Sequence, residues 1–113
     1  MISIYHNPRC SKSREALSIL ESNNAEYEVI KYMDELLNVD KLKKLIKLLK
    51  INPIDLVRTN ESIWKENFKN LNLTDNEIIA AMAKHPKLIE RPIVVSGNKA
   101  VIGRPPHKIL DIL

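Results

Sequence analysis

The chain has 113 residues, a length that suits one domain with a single hydrophobic core. Hydrophobic residues make up 44% and charged residues 28%, as in ordinary soluble domains, and no apolar run approaches the ~20 residues of a membrane-spanning helix. The net charge of +4 is modest and fits a small-anion site better than a nucleic-acid surface, so we expect neither a nucleic-acid partner nor a membrane.

Cysteine use bears on the cellular compartment. Cys10 is the only cysteine, so an internal disulfide is impossible and a reducing cytosol is the expected environment. The N-terminus lacks the basic and apolar regions of a secretion signal, which also predicts a cytoplasmic protein. His85 and His107 have no metal-ligand spacing with each other or with Cys10, and we expect no metal.

Cys10 follows the first predicted strand and precedes the first predicted helix. Residues 1–5 form a short apolar run typical of a strand, and Ala16, Leu17 and Leu20 share one face of a helix. Unpaired N–H groups and the helix dipole favour negative charge at a helix N-terminus. The pKa of a free thiol, about 8.5, can fall to roughly 3.5–7.5 in such a place.

Two interpretations of Cys10 compete. Most single cysteines in soluble proteins are small buried hydrophobes. Here, however, residues 7–8 (Asn-Pro) predict a turn, and three basic side chains surround the thiol: Arg9, Lys12 and Arg14. His6 would add a cation when protonated, and Ser13 would either donate its hydroxyl to the sulfur or serve as a helix-start residue. The pattern favours an activated nucleophile.

The rest of the chain combines strands and helices. Residues 27–30 predict a second strand, which suggests a parallel β–α–β unit. Amphipathic patterns, a proline-led helix start and a capping box at residues 74–77 predict an all-helical insertion over about 38–86. Residues 91–102 predict a hairpin around a Gly-Asn turn. A last helix bears three apolar residues, Ile109, Leu110 and Leu113.

This order of elements is the one expected of a thioredoxin-like domain, although periodicity alone leaves other α/β arrangements open. Four segments, in their order and spacing, closely resemble the glutaredoxin-coupled arsenate reductase family: residues 6–14, 56–58, 90–95 and 103–105. The resemblance runs from the first strand to the last residue. It implies a thioredoxin-like α/β fold with a small mixed sheet and an all-helical insertion, in one domain over residues 1–113.

The resemblance also implies roles for individual residues. Cys10 matches the nucleophile that attacks arsenate and forms a thiolate–arsenic adduct. Three arginines match those that hold the oxyanion and stabilise the thiolate: Arg58, Arg91 and Arg104. Planar guanidinium forks suit tetrahedral oxyanions. His6 and Ser13 match residues that tune the cysteine, and Pro92 matches a proline whose preceding peptide bond is cis.

The electron source is implied by the family and supported by the cysteine count. In the family, glutathione attacks the arsenic adduct, glutaredoxin removes the glutathione, and arsenite leaves. A two-electron reduction needs a second thiol, and because this chain has none, an external thiol such as glutathione must supply it. We therefore expect arsenate as substrate, glutathione as co-substrate, glutaredoxin as a partner and no bound cofactor.

Spacing excludes two neighbouring mechanisms. A phosphatase-like loop places arginine six residues after the cysteine, where this chain has Ala16, and a dithiol oxidoreductase needs a second cysteine where it has Ser13. Two other functions stay open: a monothiol oxidoreductase acting on glutathione mixed disulfides, and a non-catalytic regulator that binds RNA polymerase. The first would need Cys10 but tolerate loss of Arg91 and Arg104, whereas the second would survive Cys10→Ser.

Overall fold

The computed structural model describes residues 2–35 and 37–113. Strands and α-helices follow one another along the chain as β1 (Ile2–Tyr5), α1 (Ser11–Ser22), β2 (Tyr27–Ile30), α2 (Val39–Leu49), α3 (Ser62–Asn67), α4 (Asp75–Lys84), β3 (Ile93–Ser96) and β4 (Lys99–Ile102). Short 3-10 helices cover Pro53–Leu56, Pro86–Leu88 and Pro106–Ile112. Met1, the first residue of the predicted strand, lies outside the described residues.

No helix in the described ranges combines the length and apolar character needed to cross a bilayer.

Contacts divide the chain into two units. The first consists of Met1–Glu35 and Arg91–Leu113, and the second of Leu36–Glu90. The second unit is therefore inserted, in sequence, between the two parts of the first. Its position along the chain corresponds to the predicted helical insertion.

The first unit carries a four-stranded sheet in the order β2-β1-β3-β4. β1 and β2 are parallel, with Tyr5 opposite Ile30, because α1 returns the chain to the end of the sheet from which β1 starts. β1 pairs with β3 in antiparallel fashion, as β3 does with β4. The α/β class and the small mixed sheet are thus confirmed.

The predicted hairpin is confirmed in position and turn chemistry. Gly97 and Asn98 join β3 to β4, and Gly97 has a φ of 61°. Positive φ at the first residue of a two-residue turn matches the twist of the flanking strands and favours glycine.

The core of the first unit lies between α1 and the sheet. Its buried residues come from β1, α1, β3 and the last 3-10 helix: Ile4, Ala16, Leu20, Val94 and Ile109. Ala16 and Leu20 lie one helical turn apart, as the predicted helix face requires. This packing holds the N-terminal end of α1 next to the carboxyl end of β1. The two ends are joined by residues 6–10, the Cys10 loop.

The last helix differs from the prediction. Residues Pro106–Ile112 form a 3-10 helix, in which residues three apart share a face. Ile109 is therefore buried and Ile112 packs beside it, whereas Leu110 and Leu113 are exposed. Of the three apolar residues noted in the sequence, only Ile109 therefore enters the core.

Over its described residues, the regular structure of the second unit is helical, apart from one isolated antiparallel bridge between Val57 and Ile89. α4 packs against α2 and against the 3-10 helices Pro53–Leu56 and Pro86–Leu88. The predicted capping box is confirmed, since the Thr74 hydroxyl accepts from the Glu77 N–H and the Glu77 carboxylate accepts from the Thr74 N–H.

Candidate active site

Cys10 is the N-cap residue of α1, with extended backbone angles of φ −96° and ψ 123°. Its carbonyl already accepts the first helical hydrogen bond, from the Arg14 N–H at 3.0 Å. No side-chain hydrogen bond caps the N-terminus of this helix. The first N–H groups of α1 are therefore available to the sulfur. The thiol is 8% exposed and is free of any disulfide.

Opposing effects act on the thiol, and the net result is a lowered pKa. Burial raises the pKa of Cys10. The Ser13 backbone N–H, the hydrogen bond and positive charge of Arg91, and the Lys12 backbone N–H together lower it by more. The thiolate is therefore favoured relative to a free cysteine.

This lowered pKa gives a direct prediction for the pH dependence of reactivity. Alkylation of Cys10 by iodoacetamide should titrate with a midpoint below that of a free thiol, about 8.5. Because the thiolate is the reactive form, the rate should fall as the pH drops through the lowered pKa and level off above it. The ultraviolet absorbance of the thiolate provides a second measurement. A midpoint at the free-thiol value would contradict the account of an activated nucleophile.

The loop before Cys10 is closed by short-range hydrogen bonds. The Asn7 carbonyl accepts from the Cys10 N–H, and the Asn7 side-chain oxygen accepts from the Arg9 N–H, each at 3.0 Å. The Arg14 guanidinium reaches back over the loop and donates to the Pro8 carbonyl at 2.9 Å. These bonds hold the predicted turn in one conformation.

Behind the loop lies a buried polar pair. His6 Nδ1 and Ser13 Oγ are 2.7 Å apart, and the Ser13 hydroxyl also accepts from the Asn7 N–H at 3.0 Å. Burial, followed by the positive charges of Lys31 and Arg14, lowers the pKa of His6, against an opposing hydrogen-bond contribution from Ser13. His6 is therefore neutral near pH 7 and adds no cation there. The Ser13 hydroxyl bonds to His6 and Asn7, while its backbone N–H stabilises the thiolate.

Two of the three predicted arginines converge on the sulfur. Arg104 Nη2 lies 3.7 Å from Cys10 Sγ, and its Nε donates to the Arg91 carbonyl at 2.7 Å. The Arg91 guanidinium acts on the thiol through a hydrogen bond and its charge. Among the described residues, Arg91 Nε is buried without a hydrogen-bond partner. A donor beside the thiolate is thus left for an incoming acceptor.

Gly103 has a role in the site that the sequence did not predict. Its N–H donates to the Pro92 carbonyl at 2.8 Å, and a Cβ at this position would lie 2.9 Å from Pro92 Cγ. Only glycine permits this close approach, which fixes the backbone immediately before Arg104.

The predicted cis peptide bond before Pro92 is confirmed, and a second one precedes Pro105.

Arg58 belongs to the second unit. Its Nε lies 3.5 Å from Glu90 Oε1 and its Nη1 lies 3.7 Å from Glu61 Oε1, and its side chain is 25% exposed. Its N–H donates to the Leu88 carbonyl at 2.7 Å. The guanidinium is thus held by two carboxylates within its own unit, and its assignment as an oxyanion ligand stays a prediction.

Comparison with known proteins agrees with this fold. The model of the ArsC family matches residues 5–112. The uncharacterized protein YfgD of Escherichia coli strain K12 is 46% identical, over 99% of this chain and 96% of its own. The arsenate reductase of Haemophilus influenzae is 42% identical, over 99% and 98%.

A solved structure extends the comparison to three dimensions. The arsenate reductase from Vibrio cholerae superimposes with a TM-score of 0.95 at 47% identity, covering 99% of this chain and 97% of its own. The predicted thioredoxin-like fold is confirmed by this shared architecture. The chain therefore belongs to the ArsC family.

Proposed function

We propose that this protein is an arsenate reductase, which reduces arsenate to arsenite through a Cys10 thiolate–arsenic adduct and takes its electrons from glutathione and glutaredoxin. One observation carries the proposal. A buried thiol with a lowered pKa lies 3.7 Å from the Arg104 guanidinium and within hydrogen-bonding reach of Arg91, at the N-terminus of α1. The arsenate reductases of Haemophilus influenzae and Vibrio cholerae are similar over nearly the whole chain.

The first step is nucleophilic substitution at arsenic. The Cys10 thiolate attacks arsenic(V), a sulfur–arsenic bond forms, and an oxygen ligand leaves as water. Arg104 and the unpartnered Nε of Arg91 would neutralise the oxyanion charge, together with the N–H groups of Lys12 and Ser13.

The reduction follows on the adduct. The glutathione thiol adds to arsenic with loss of a second water. A glutaredoxin thiol then attacks the glutathione sulfur, so that a sulfur–sulfur bond forms and the arsenic–sulfur electron pair stays on arsenic, which becomes arsenic(III). Hydrolysis of the remaining bond to Cys10 releases arsenite and restores the thiol. The two electrons thus come from two external thiols, which leave as a mixed disulfide.

The buried pair behind the loop would tune the nucleophile. Neutral His6 fixes the Ser13 hydroxyl at 2.7 Å, and Ser13 in turn presents its backbone N–H to the sulfur. Because His6 stays neutral near pH 7, its hydrogen bond orients Ser13 without adding a charge that would compete with the arginines for the thiolate. His6 and Ser13 are therefore proposed as positioning residues. We place the protein in the cytoplasm, where reduced glutathione is available.

A coupled assay tests the proposal. The protein is incubated with arsenate as the sole oxidant, together with glutathione, glutaredoxin, glutathione reductase and NADPH. We expect NADPH oxidation and arsenite formation in equal amounts, well above the background reaction of glutathione in a control without the protein. Absence of both, with turnover on glutathione mixed disulfides instead, would replace this function with that of a monothiol glutathione-linked oxidoreductase.

A further inference from the structure

We propose that Arg14 and Lys31 form a cationic rim beside the Cys10 loop and that this rim binds the carboxylates of glutathione. The inference rests on the proposed function, and it assigns a location to the co-substrate. Glutathione carries a carboxylate at each end and a net negative charge at neutral pH, and its thiol must reach the arsenic bound to Cys10. A glutathione site beside Cys10 should therefore contain cationic side chains that flank the loop and form no ion pair with a carboxylate of the protein.

Lys31 is placed at the loop by the parallel strand pair. β2 ends at Ile30, which lies opposite Tyr5, and the Ile30 carbonyl accepts from the His6 N–H at 2.9 Å. Because the carboxyl ends of parallel strands meet at one edge of a sheet, the chain after β2 begins beside the loop after β1. Lys31 is the first residue after β2, and its side chain is exposed.

Arg14 reaches the same loop from α1. Its backbone N–H is bonded to the Cys10 carbonyl, and its guanidinium is tethered to the Pro8 carbonyl at 2.9 Å. The tether uses one guanidinium donor, and the planar fork has further N–H groups that a carboxylate can accept from. The tether also fixes the guanidinium before ligand arrives, which reduces the ordering needed on binding.

The two cations act on one shared neighbour. Lys31 and Arg14 both disfavour the charged form of buried His6, so both charges act near the base of the same loop. Among the ion pairs of the described residues, none includes Arg14 or Lys31, whereas the neighbouring Lys12 lies 3.9 Å from Glu15. The rim is thus a positive surface, outside the arginines that contact the sulfur, and it is suited to an anionic thiol.

The reaction of Cys10 with symmetric disulfides tests the rim without arsenate. The Cys10 thiolate attacks one sulfur of glutathione disulfide, forms a mixed disulfide and releases a glutathione thiolate; cystamine reacts in the same way but is cationic. We expect Arg14→Gln and Lys31→Gln each to slow the reaction with glutathione disulfide about two- to five-fold relative to cystamine. The double variant should show the product of the two effects. Mass spectrometry of the adducts provides the rates.

Matched variants separate the rim from general effects. Arg14→Gln keeps an amide donor for the Pro8 carbonyl, and iodoacetamide alkylation against pH corrects for any change in the Cys10 pKa. Lys99→Gln removes the same charge from an exposed position on β4 and should leave the ratio of the two rates unchanged. If the Arg14 and Lys31 variants matched the Lys99 variant, the rim would be excluded as a glutathione site.

The coupled assay adds an independent measurement. Both rim variants should raise KM for glutathione by a similar factor, and Lys31→Gln, which alters no bond of the Cys10 loop, should do so while kcat and KM for arsenate stay near those of the parent protein. An unchanged KM for glutathione would overturn the proposal. A parent protein that failed to reduce arsenate would overturn the proposed function instead, and the disulfide rate ratio would still decide whether the rim exists.

Discussion

Replacing Cys10 with serine is expected to abolish arsenite formation, with a loss of at least about 10³-fold in the coupled assay. The lowered pKa of the thiol depends on N–H groups and guanidinium charge around the sulfur, but a serine hydroxyl ionises far above neutral pH in any such setting. Serine also cannot take part in thiol exchange, and the chain has no other cysteine to substitute for it. NADPH oxidation with arsenate, corrected for the background reaction of glutathione alone, is the measurement.

Two comparisons make this loss specific to the sulfur. Serine is close in shape to cysteine, so the variant should unfold near the temperature of the parent protein. Ser11→Ala, which removes an exposed hydroxyl from the adjacent position, should retain activity. Turnover that persisted in Cys10→Ser would remove the thiol from the mechanism and would favour a binding role that does not need it.

The position of the nucleophile could be predicted because it is determined by residues close to Cys10 in sequence. A short apolar strand, a turn at residues 7–8 and an amphipathic helix follow one another within the first twenty or so residues, and this order alone places Cys10 at a helix N-terminus. The capping box that begins at Thr74 and the turn at Gly97 were predictable for the same reason. Each depends on neighbours in sequence, whose geometry is set by backbone sterics and short hydrogen bonds.

Features that depend on tertiary burial could not be predicted. A histidine beside basic residues gave no sign that His6 would be buried, and burial is the largest cause of its lowered pKa. The bond from Arg104 to the Arg91 carbonyl joins residues that are neighbours only because β3 and β4 pair. The 3-10 form of the last helix was not predicted either, because Ile109 and Ile112, three residues apart, share a face in an α-helix as well as in a 3-10 helix.

Arg104→Ala is expected to lower kcat/KM for arsenate by about 10²- to 10³-fold, the usual effect of removing one oxyanion donor. The substitution removes the guanidinium that lies 3.7 Å from the sulfur and also releases the Arg91 carbonyl, which Arg104 Nε holds at 2.7 Å. Arg104→Lys keeps the charge but loses the fork, so it should recover only part of the activity. Because Arg104 anchors the Arg91 backbone, the double alanine variant should lose less than the product of the two single losses.

The two arginines stabilise both a thiolate and, by proposal, an oxyanion, and the variants can separate these effects. Arg91→Ala removes a charge that lowers the pKa of Cys10, so alkylation should shift to higher pH, and working above the shifted midpoint restores the thiolate. Under those conditions reaction with glutathione disulfide should recover, since it needs only a thiolate, whereas turnover of arsenate should stay low because the oxyanion still lacks its donors. Equal recovery of both reactions would mean that Arg91 serves the sulfur alone, and a monothiol oxidoreductase would then describe the site better than an arsenate reductase does.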